Sequence, residues 1–469
     1  RTARSAWLSY GVSNTLASAW FSYFTTRTCA TGQHPNDAHQ GTAQALILVH
    51  RLDKRAVWLP HRHAHDALPF AHAAPAHPQG AFLTHHTTAT QPMQTADYIV
   101  IGAGIAGASI AWQLVQDGRS SVLLLERESQ PGYHTTGRSA ALYMATYGTP
   151  NIQALTRASR AFYDAPPLEF GADPILSPRG VIYVAGPDQL DLLKQAYDDA
   201  RAASPNVEWV DKPALLAQLP CLKPEAVAAG MSEPEAADID VHALHQGYLR
   251  GLRQRGGQVL TQAEVVGLQK EGDAWHVALA DGRQLRGSTI VNAAGAWADV
   301  VAAMAGVPPI GLEPRRRTAF TFAVPEGMDA SHWPAVIGID ESFYFKPDAG
   351  QLLGSPANAD PTHPHDVVPE ELDVATGIYH IEELTTFQIR RPSHTWAGLR
   401  SFVPDGDMVI GWDNHVPGFF WLAGQGGYGI QSAAGASLLA KRLLRGEPLG
   451  PELEAEGVEP QGLSPARLR

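Results

Sequence analysis

Gly102, Gly104 and Gly107, with Glu126 further along, are the residues of this 469-residue chain whose types and spacing first suggest a chemistry: holding a dinucleotide. The glycines follow an apolar run at 98–101 that reads as a buried parallel strand. Gly102 permits the tight turn, Gly104 lets backbone approach a pyrophosphate, and Gly107 lets the next helix pack on the strand. That helix, over 105–116, would aim its unpaired N–H groups and positive dipole end at the phosphates. A second strand over 121–125 ends at Glu126, about 20 residues past the glycines, where a carboxylate accepts hydrogen bonds from a ribose. A glycine run alone is weak evidence; strand, turn, helix, strand and terminal acid in order make it specific.

The loop over 127–141 is rich in small, polar and glycine residues and leads into a helix. NAD needs no further contact region directly after the ribose acid, whereas FAD runs outstretched past such a loop. Arg138 and Ser139 are placed to contact it. His134 is read as a loop histidine with a backbone partner, in preference to a covalent flavin attachment. A second glycine turn, Gly424-Gln425-Gly426-Gly427-Tyr428-Gly429, follows a buried strand over 418–423 and opens a helix over 430–444. The positive end of that helix would stabilise negative charge on the N1–C2 carbonyl side of a reduced flavin ring.

The elements between these turns must bring them together. Helices are expected over 151–164 and 189–202, a strand over 180–185, and a helix that 237–244 opens and that runs to about 255, capped by Asp238 or Asp240. Strands over 258–260 and 264–269 precede a hairpin turned at Asp281-Gly282. The cofactor unit resumes at a strand over 289–292, followed by the small residues around Ala294 and Gly295. A strand over 312–322 holds Arg315, Arg316 and Arg317, and another holds Tyr344; both are candidates for a substrate wall. The strand over 408–411 follows Asp405-Gly406-Asp407.

Composition bounds the function classes. The net charge of −12 argues against nucleic acid as a partner. The most apolar stretch, 6–24, is broken by Ser9, Ser13, Asn14, Ser18 and Ser22, so no integral membrane segment and no signal peptide are expected. Cys29 and Cys221 follow no metal spacing, and no metal site is assigned. A reducing cytoplasm fits best. Residues 1–92 carry +4 and half of the 20 histidines, leaving −16 on the rest. Their histidines recur at no fixed spacing, so a disordered or non-native extension is favoured over a metal-binding tract, with Met93 as the expected start.

The residues 101–107, 132–141, 291–298, 396–400 and 424–431 together resemble the D-amino-acid oxidase/glycine oxidase type of FAD-dependent oxidoreductase, and within it the bacterial D-arginine dehydrogenases. The likeness runs from about residue 93 to the end. It implies an α/β fold: a doubly wound, Rossmann-like FAD-binding domain from 93–175, 232–306 and 396–446, an α+β substrate domain on a mixed or antiparallel sheet from 176–231 and 307–395, and a tail over 447–469. It implies FAD contacts from Gly102, Gly104, Ile105, Ala106 and Gly107; from Glu126 and Arg127; from Thr136, Gly137, Arg138 and Ser139. Further along it implies contacts from Val265, Ala294, Gly295 and Trp297, and from Arg400, Gly426, Gly427, Tyr428, Gly429, Ile430 and Gln431.

The implied reaction oxidises a D-amino acid by hydride transfer from its α-carbon to flavin N5, giving an imino acid that hydrolyses to a 2-oxo acid and ammonia. Arg317 and Arg400 match the carboxylate-binding positions, Tyr344 a hydroxyl donor to the same group, Tyr147 a loop tyrosine covering the substrate, and Gly427 a carbonyl that meets the amine. Electrons would pass to a quinone or other acceptor, which would place the protein in the cytoplasm or at the inner membrane's periphery. The chain departs from its relatives at Gly180-Val181, where the arginine-preferring enzymes carry a glutamate, and at Leu142 and Met144. A buried cation would lack its partner there, so apolar or aromatic D-amino acids are expected. The rival readings are a glycine- or sarcosine-type amine oxidase of the same fold and a non-catalytic flavin-binding protein.

Overall fold

A computed structural model describes residues 93–469. The expectations for residues 1–92, the histidine tract among them, lie outside the described residues. Two large sheets and one small one organise the described chain.

The strand Gln94–Ile101 lies between Val122–Leu125 and Gln284–Asn292 and runs parallel to both. Gln258–Leu260 extends this sheet on one side, and Phe419–Ala423 on the other, again in parallel. Val409–Trp412 closes that edge antiparallel, and a hairpin of Val265–Glu271 and Ala274–Leu279 joins through Gln284–Asn292. Strand side chains alternate between faces, and here both faces are buried, which is why these strands are continuously apolar. Ile99, Ile101, Leu123 and Leu125 feed one core, with Trp275 and Val301. Val100 and Leu124 feed the other, with Ile110, Leu114 and Leu439 from the covering helices. Each such side chain contributes about 1.5–3 kcal/mol on burial.

The helix Ile105–Val115 is buried at every residue because it packs between the helices Val241–Gln254 and Ala433–Arg445. Its start needs Gly102, whose φ is +98° and whose missing Cβ would lie 2.5 Å from the Ala293 carbonyl oxygen. Asp240, not Asp238, caps the helix Val241–Gln254, accepting from Ala243 N at 2.7 Å. Asp238 instead pairs with Arg179 and Lys346.

The second sheet is mixed. Val181–Ala185 pairs in parallel with Ala335–Gly338 and antiparallel with Ala229–Glu233; the other pairings are antiparallel. Glu313–Phe322 pairs antiparallel with His394–Phe402, so residues 394–402, grouped by sequence with the cofactor segments, hydrogen-bond into this sheet. Leu142–Tyr143, Ala237–Ile239 and Leu176–Pro178 form the small sheet.

Two local expectations are corrected. The loop after Glu126 does not lead into an α-helix: one 3-10 turn, Thr135–Arg138, is followed by the short strand Leu142–Tyr143. Ala141 adopts φ +39°, which ends any helix. The C-terminal helix begins at Ala433, not at 430, because Gly426 (φ +50°) and a Tyr428 N to Gln425 O bond of 2.9 Å hold the chain in turns until Ser432.

Candidate active site

The carboxyl ends of the parallel strands and one face of the second sheet enclose a single cleft of about 1680 Å3, counting its open mouth. Ligands of open α/β sheets bind at such strand ends. On the sheet side, the turn after the first strand leaves the helix Ile105–Val115 with Gly104 at its N-cap, no side-chain cap and no acid in its first turn. That is a helix start suited to an anion. Glu126 is buried and accepts from Ala103 N at 3.1 Å and Glu128 N at 3.0 Å. Burial pushes its pKa up, and these two N–H donors oppose the shift. Thr136 Oγ1 accepts from Ile105 N at 3.0 Å, tying the loop to the helix start.

Gly102, Gly104, Ile105, Ala106, Glu126 and Arg127 line the cleft, as do Thr136, Arg138 and Ser139. Val265, Ala294, Gly295 and Trp297 line it from the far side, with Arg400, Gly426, Gly427, Gly429 and Ile430. Four residues expected to touch the cofactor do not line it. Gly107 packs the helix on the strand, its absent Cβ lying 1.8 Å from Gly102 O. Gly137 donates to Gly132 O at 2.8 Å and braces the loop. Tyr428 packs edge-on to Tyr147, ring centroids 5.0 Å apart. Gln431 is buried and donates to Tyr147 O and Thr156 Oγ1 at 3.4 and 3.0 Å. The Arg138 guanidinium bonds Asp366 at 2.5 Å and the Val367 and Ala397 carbonyls. His134 has a carboxylate partner rather than a backbone one: Nε2 lies 3.0 Å from Glu128 Oε1.

On the substrate side, Arg315 stands opposite Arg400 across paired strands and Arg317 opposite Gly398. Arg317 and Arg400 are therefore diagonal neighbours on one face of the sheet, and both line the cleft with Tyr344. The three consecutive arginines separate by their partners. Arg316 is tied to Asp373, Glu370 and Asp360, and Arg315 to Glu313. Among the described residues Arg317 has no carboxylate partner; its Nε donates to Asn358 O at 2.6 Å. Burial and the nearby Arg400 push its pKa down. Arg400 Nη1 donates to the Tyr147 hydroxyl at 3.3 Å. Tyr147 does not itself line the cleft, but this bond brings it to the same cluster. A Cβ at Gly427 would lie 2.8 Å from Arg400 Nη1, so a side chain there would displace the guanidinium. Two guanidiniums with spare donors are suited to a carboxylate, which their planar forks bind bidentately.

Two residues at this site carry no motif and escape a reading by sequence. Glu233 is buried, accepts from Ala145 N at 2.6 Å and Thr146 Oγ1 at 2.5 Å, and so anchors the segment bearing Tyr147. Glu341 lies in the turn before Tyr344 and does not itself line the cleft; burial pushes its pKa up, and the charges of Arg317 and Arg400 oppose the shift. Val181 and Met144 are buried together, with partly buried Leu142 and Tyr147 packed against them.

Among the described residues, no helix is long and apolar enough to cross a membrane, and no cluster of three or more His, Cys, Asp or Glu is placed to hold a metal. An L-2-hydroxyglutarate dehydrogenase of Escherichia coli (strain K12) is 26% identical over 224 residues, 45% of this chain and 50% of that protein, so the chain aligns with about half the length of that relative. An FAD-dependent oxidoreductase domain-containing protein 1 of Bos taurus is 24% identical over 79% of this chain and 85% of its own. The crystal structure of glycine oxidase from Geobacillus kaustophilus superposes with a TM-score of 0.68 at 20% identity, over 78% of this chain and 99% of that one, a likeness of fold. Residues 97–442 match the DAO family of FAD dependent oxidoreductases. With its uncapped helix start, ribose-side acid and long cleft, the chain belongs to that family, and FAD is its cofactor.

Proposed function

We propose that the chain oxidises D-amino acids, in the manner of the D-arginine dehydrogenases but with apolar or aromatic side chains preferred. The observation that carries this reading is the pair Arg317 and Arg400, diagonal across two strands, lining the cleft, with guanidinium donors that no carboxylate among the described residues occupies. A substrate carboxylate held there fixes the α-carbon, and fixing it supplies much of the rate acceleration. Tyr344 adds a hydroxyl to the carboxylate, Tyr147 covers it, and the Gly427 carbonyl accepts from the amine, which must be neutral when the hydride leaves. FAD, when bound, supplies the two-electron acceptor for the α-hydrogen as hydride. The imino acid then hydrolyses in water to a 2-oxo acid and ammonia. The apolar preference rests on the sequence: Val181 stands where the arginine-preferring enzymes carry a glutamate, and it is buried in one apolar cluster with Met144, although neither lines the cleft. A quinone or another acceptor would reoxidise the flavin.

An anaerobic absorbance spectrum tests the reading, recorded before and after adding D- and L-amino acids, glycine and sarcosine. Bleaching of the flavin band by D-Phe, D-Met or D-Leu but not by their L-isomers is the expected result. Much higher kcat/KM for D-Arg and D-Lys would remove the apolar preference. Bleaching only by glycine or sarcosine would replace the substrate class.

A further inference from the structure

Where a buried strand loses its neighbour, its main-chain groups need other partners. Such a place lies beside Arg317. Along one edge of Glu313–Phe322, Phe320 pairs with Gly354 and Arg316 with Asp360, so four steps along this strand meet six along its partner. The intervening residues 356–359 leave the ladder between Gln351–Ser355 and Asp360–Pro361. Ala357 takes φ +49° there, a conformation few side chains adopt and one that persists where its surroundings hold it. Opposite the gap, Thr318 is fully buried. Side chains replace its missing ladder bonds: Asn358 Oδ1 accepts from Thr318 N at 2.8 Å, and Ser355 Oγ donates to Thr318 O at 2.6 Å.

The bulge brings the Asn358 carbonyl to the neighbouring side chain, and Arg317 Nε donates to it at 2.6 Å. The Asn358 amide is held at both ends, since its Nδ2 donates to Asp360 Oδ2 at 2.7 Å and to Asp373 Oδ2 at 3.1 Å. Asn358 does not line the cleft, whereas Arg317 does. A carbonyl fixes the Arg317 guanidinium without cancelling its charge. One residue away, the carboxylates of Asp373, Glu370 and Asp360 compensate Arg316. With Nε of Arg317 occupied, the edge left for a ligand carboxylate is the pair Nη1 and Nη2, which makes no bond among the described residues.

We propose that Asn358 is a positioning residue: its side chain fastens the bulge to Thr318, so that its own carbonyl holds Arg317 by Nε and presents the Nη1–Nη2 edge of an uncompensated guanidinium to the substrate carboxylate. This rests on the reading of Arg317 and Arg400 as the carboxylate clamp, and it adds the group that sets which edge of Arg317 faces the ligand.

The test uses the FAD-loaded protein and benzoate, a carboxylate with no α-hydrogen to give up, its binding read from the perturbation of the flavin absorbance. Asn358→Ala is expected to weaken benzoate binding on the order of tenfold and to lower the melting temperature, with FAD content unchanged. Arg317→Ala should weaken it at least as much. In the double variant the losses should not add: with the guanidinium gone, Asn358→Ala should still lower the melting temperature but cost no further affinity. Asn358→Asp, which keeps the acceptor for Thr318 N, is taken through the same cycle in case the alanine variant does not fold, and it should lose less affinity. Additive losses overturn the proposal, as does unchanged affinity in Asn358→Ala while Arg317→Ala loses it. A parent protein that binds no benzoate, or an Arg317→Ala variant that binds it as well as the parent, overturns the clamp itself and this proposal with it.

Discussion

The two walls of the cleft treat their charges in opposite ways. On the cofactor side, the donors and charges have partners: Ala103 N with Glu126, Ile105 N with Thr136, His134 with Glu128, Arg138 with Asp366. On the other wall, Arg317 and Arg400 are diagonal neighbours, and among the described residues neither guanidinium is bonded to a carboxylate. A paired network makes a stiff cradle, which a cofactor that stays bound can use. Unpaired charges cost stability and are kept for a ligand that comes and goes. The difference predicts that changes on the first wall act on FAD retention and folding, and changes on the second on turnover.

The largest effect is expected from Gly107→Val. Its Cβ would coincide with the Gly102 carbonyl, 1.8 Å away, and backbone cannot yield as a side-chain end can. The helix start would part from the strand, and the protein should purify colourless or not fold. Retention of FAD at the parent level, measured by absorbance after gel filtration, would break the contrast at its root.

Arg400→Ala and Arg317→Ala come next. Each should keep FAD and lower kcat/KM for the best D-amino acid by about 10^2 to 10^3, the scale of a lost charged hydrogen-bonded contact. Arg316→Ala is the internal control. Arg316 adjoins Arg317 only in sequence, since Asp373, Glu370 and Asp360 hold it. It should lower the melting temperature and leave kcat/KM within about twofold. Equal kinetic losses for all three arginines would erase the distinction drawn from their partners.

The contrast also explains which half was legible in the sequence. The cradle is built by neighbours: an apolar strand, glycines at fixed spacing and an acid at the next strand's end are local grammar, and the strands Gln94–Ile101 and Val122–Leu125 lie where that grammar places them. The substrate wall is built by pairing across long separations. Which of three consecutive arginines turns to the cleft depends on strands 315–317 and 398–400 being paired, and the family resemblance, not periodicity, singled out Arg317. Glu233 meets Ala145 and Thr146 only because Val181 pairs with Glu233 on a neighbouring strand. The late start of the helix Ala433–Arg445 was hidden for another reason: glycine positions reveal that a turn is permitted, not how many residues it takes.

Glu233 sharpens the comparison from the boundary between the walls. It is paired, as on the cofactor side, yet what it holds is the segment of Tyr147. Glu233→Ala should raise KM on the order of tenfold, with a smaller change in kcat, and leave FAD content unchanged. Glu233→Gln should recover most of the loss, because an amide can still accept from Ala145 N and donate to Thr146 Oγ1. A loss shared equally by the two variants would point to the charge rather than the anchoring bonds.

The smallest effect is thermal. Burial raises the folded-state pKa of Glu341, with Asp340 adding to the shift and Arg317 and Arg400, from their own strands, opposing it; Tyr183 and Tyr428 complete the titratable groups around it. A carboxyl whose folded pKa lies above its unfolded value of about 4.3 is no burden below that value, where both states are protonated. Its penalty grows as pH rises from the unfolded value to the folded pKa, because the unfolded state ionises first, and it is constant above that. Glu341→Gln removes that penalty, so the variant should melt higher than the parent at pH 7–8, by about 1–2 °C for a chain of this size. The gap should close as pH falls below about 4. A melting temperature that falls at neutral pH would mean instead that Arg317 and Arg400 already draw net stability from Glu341 before any substrate arrives.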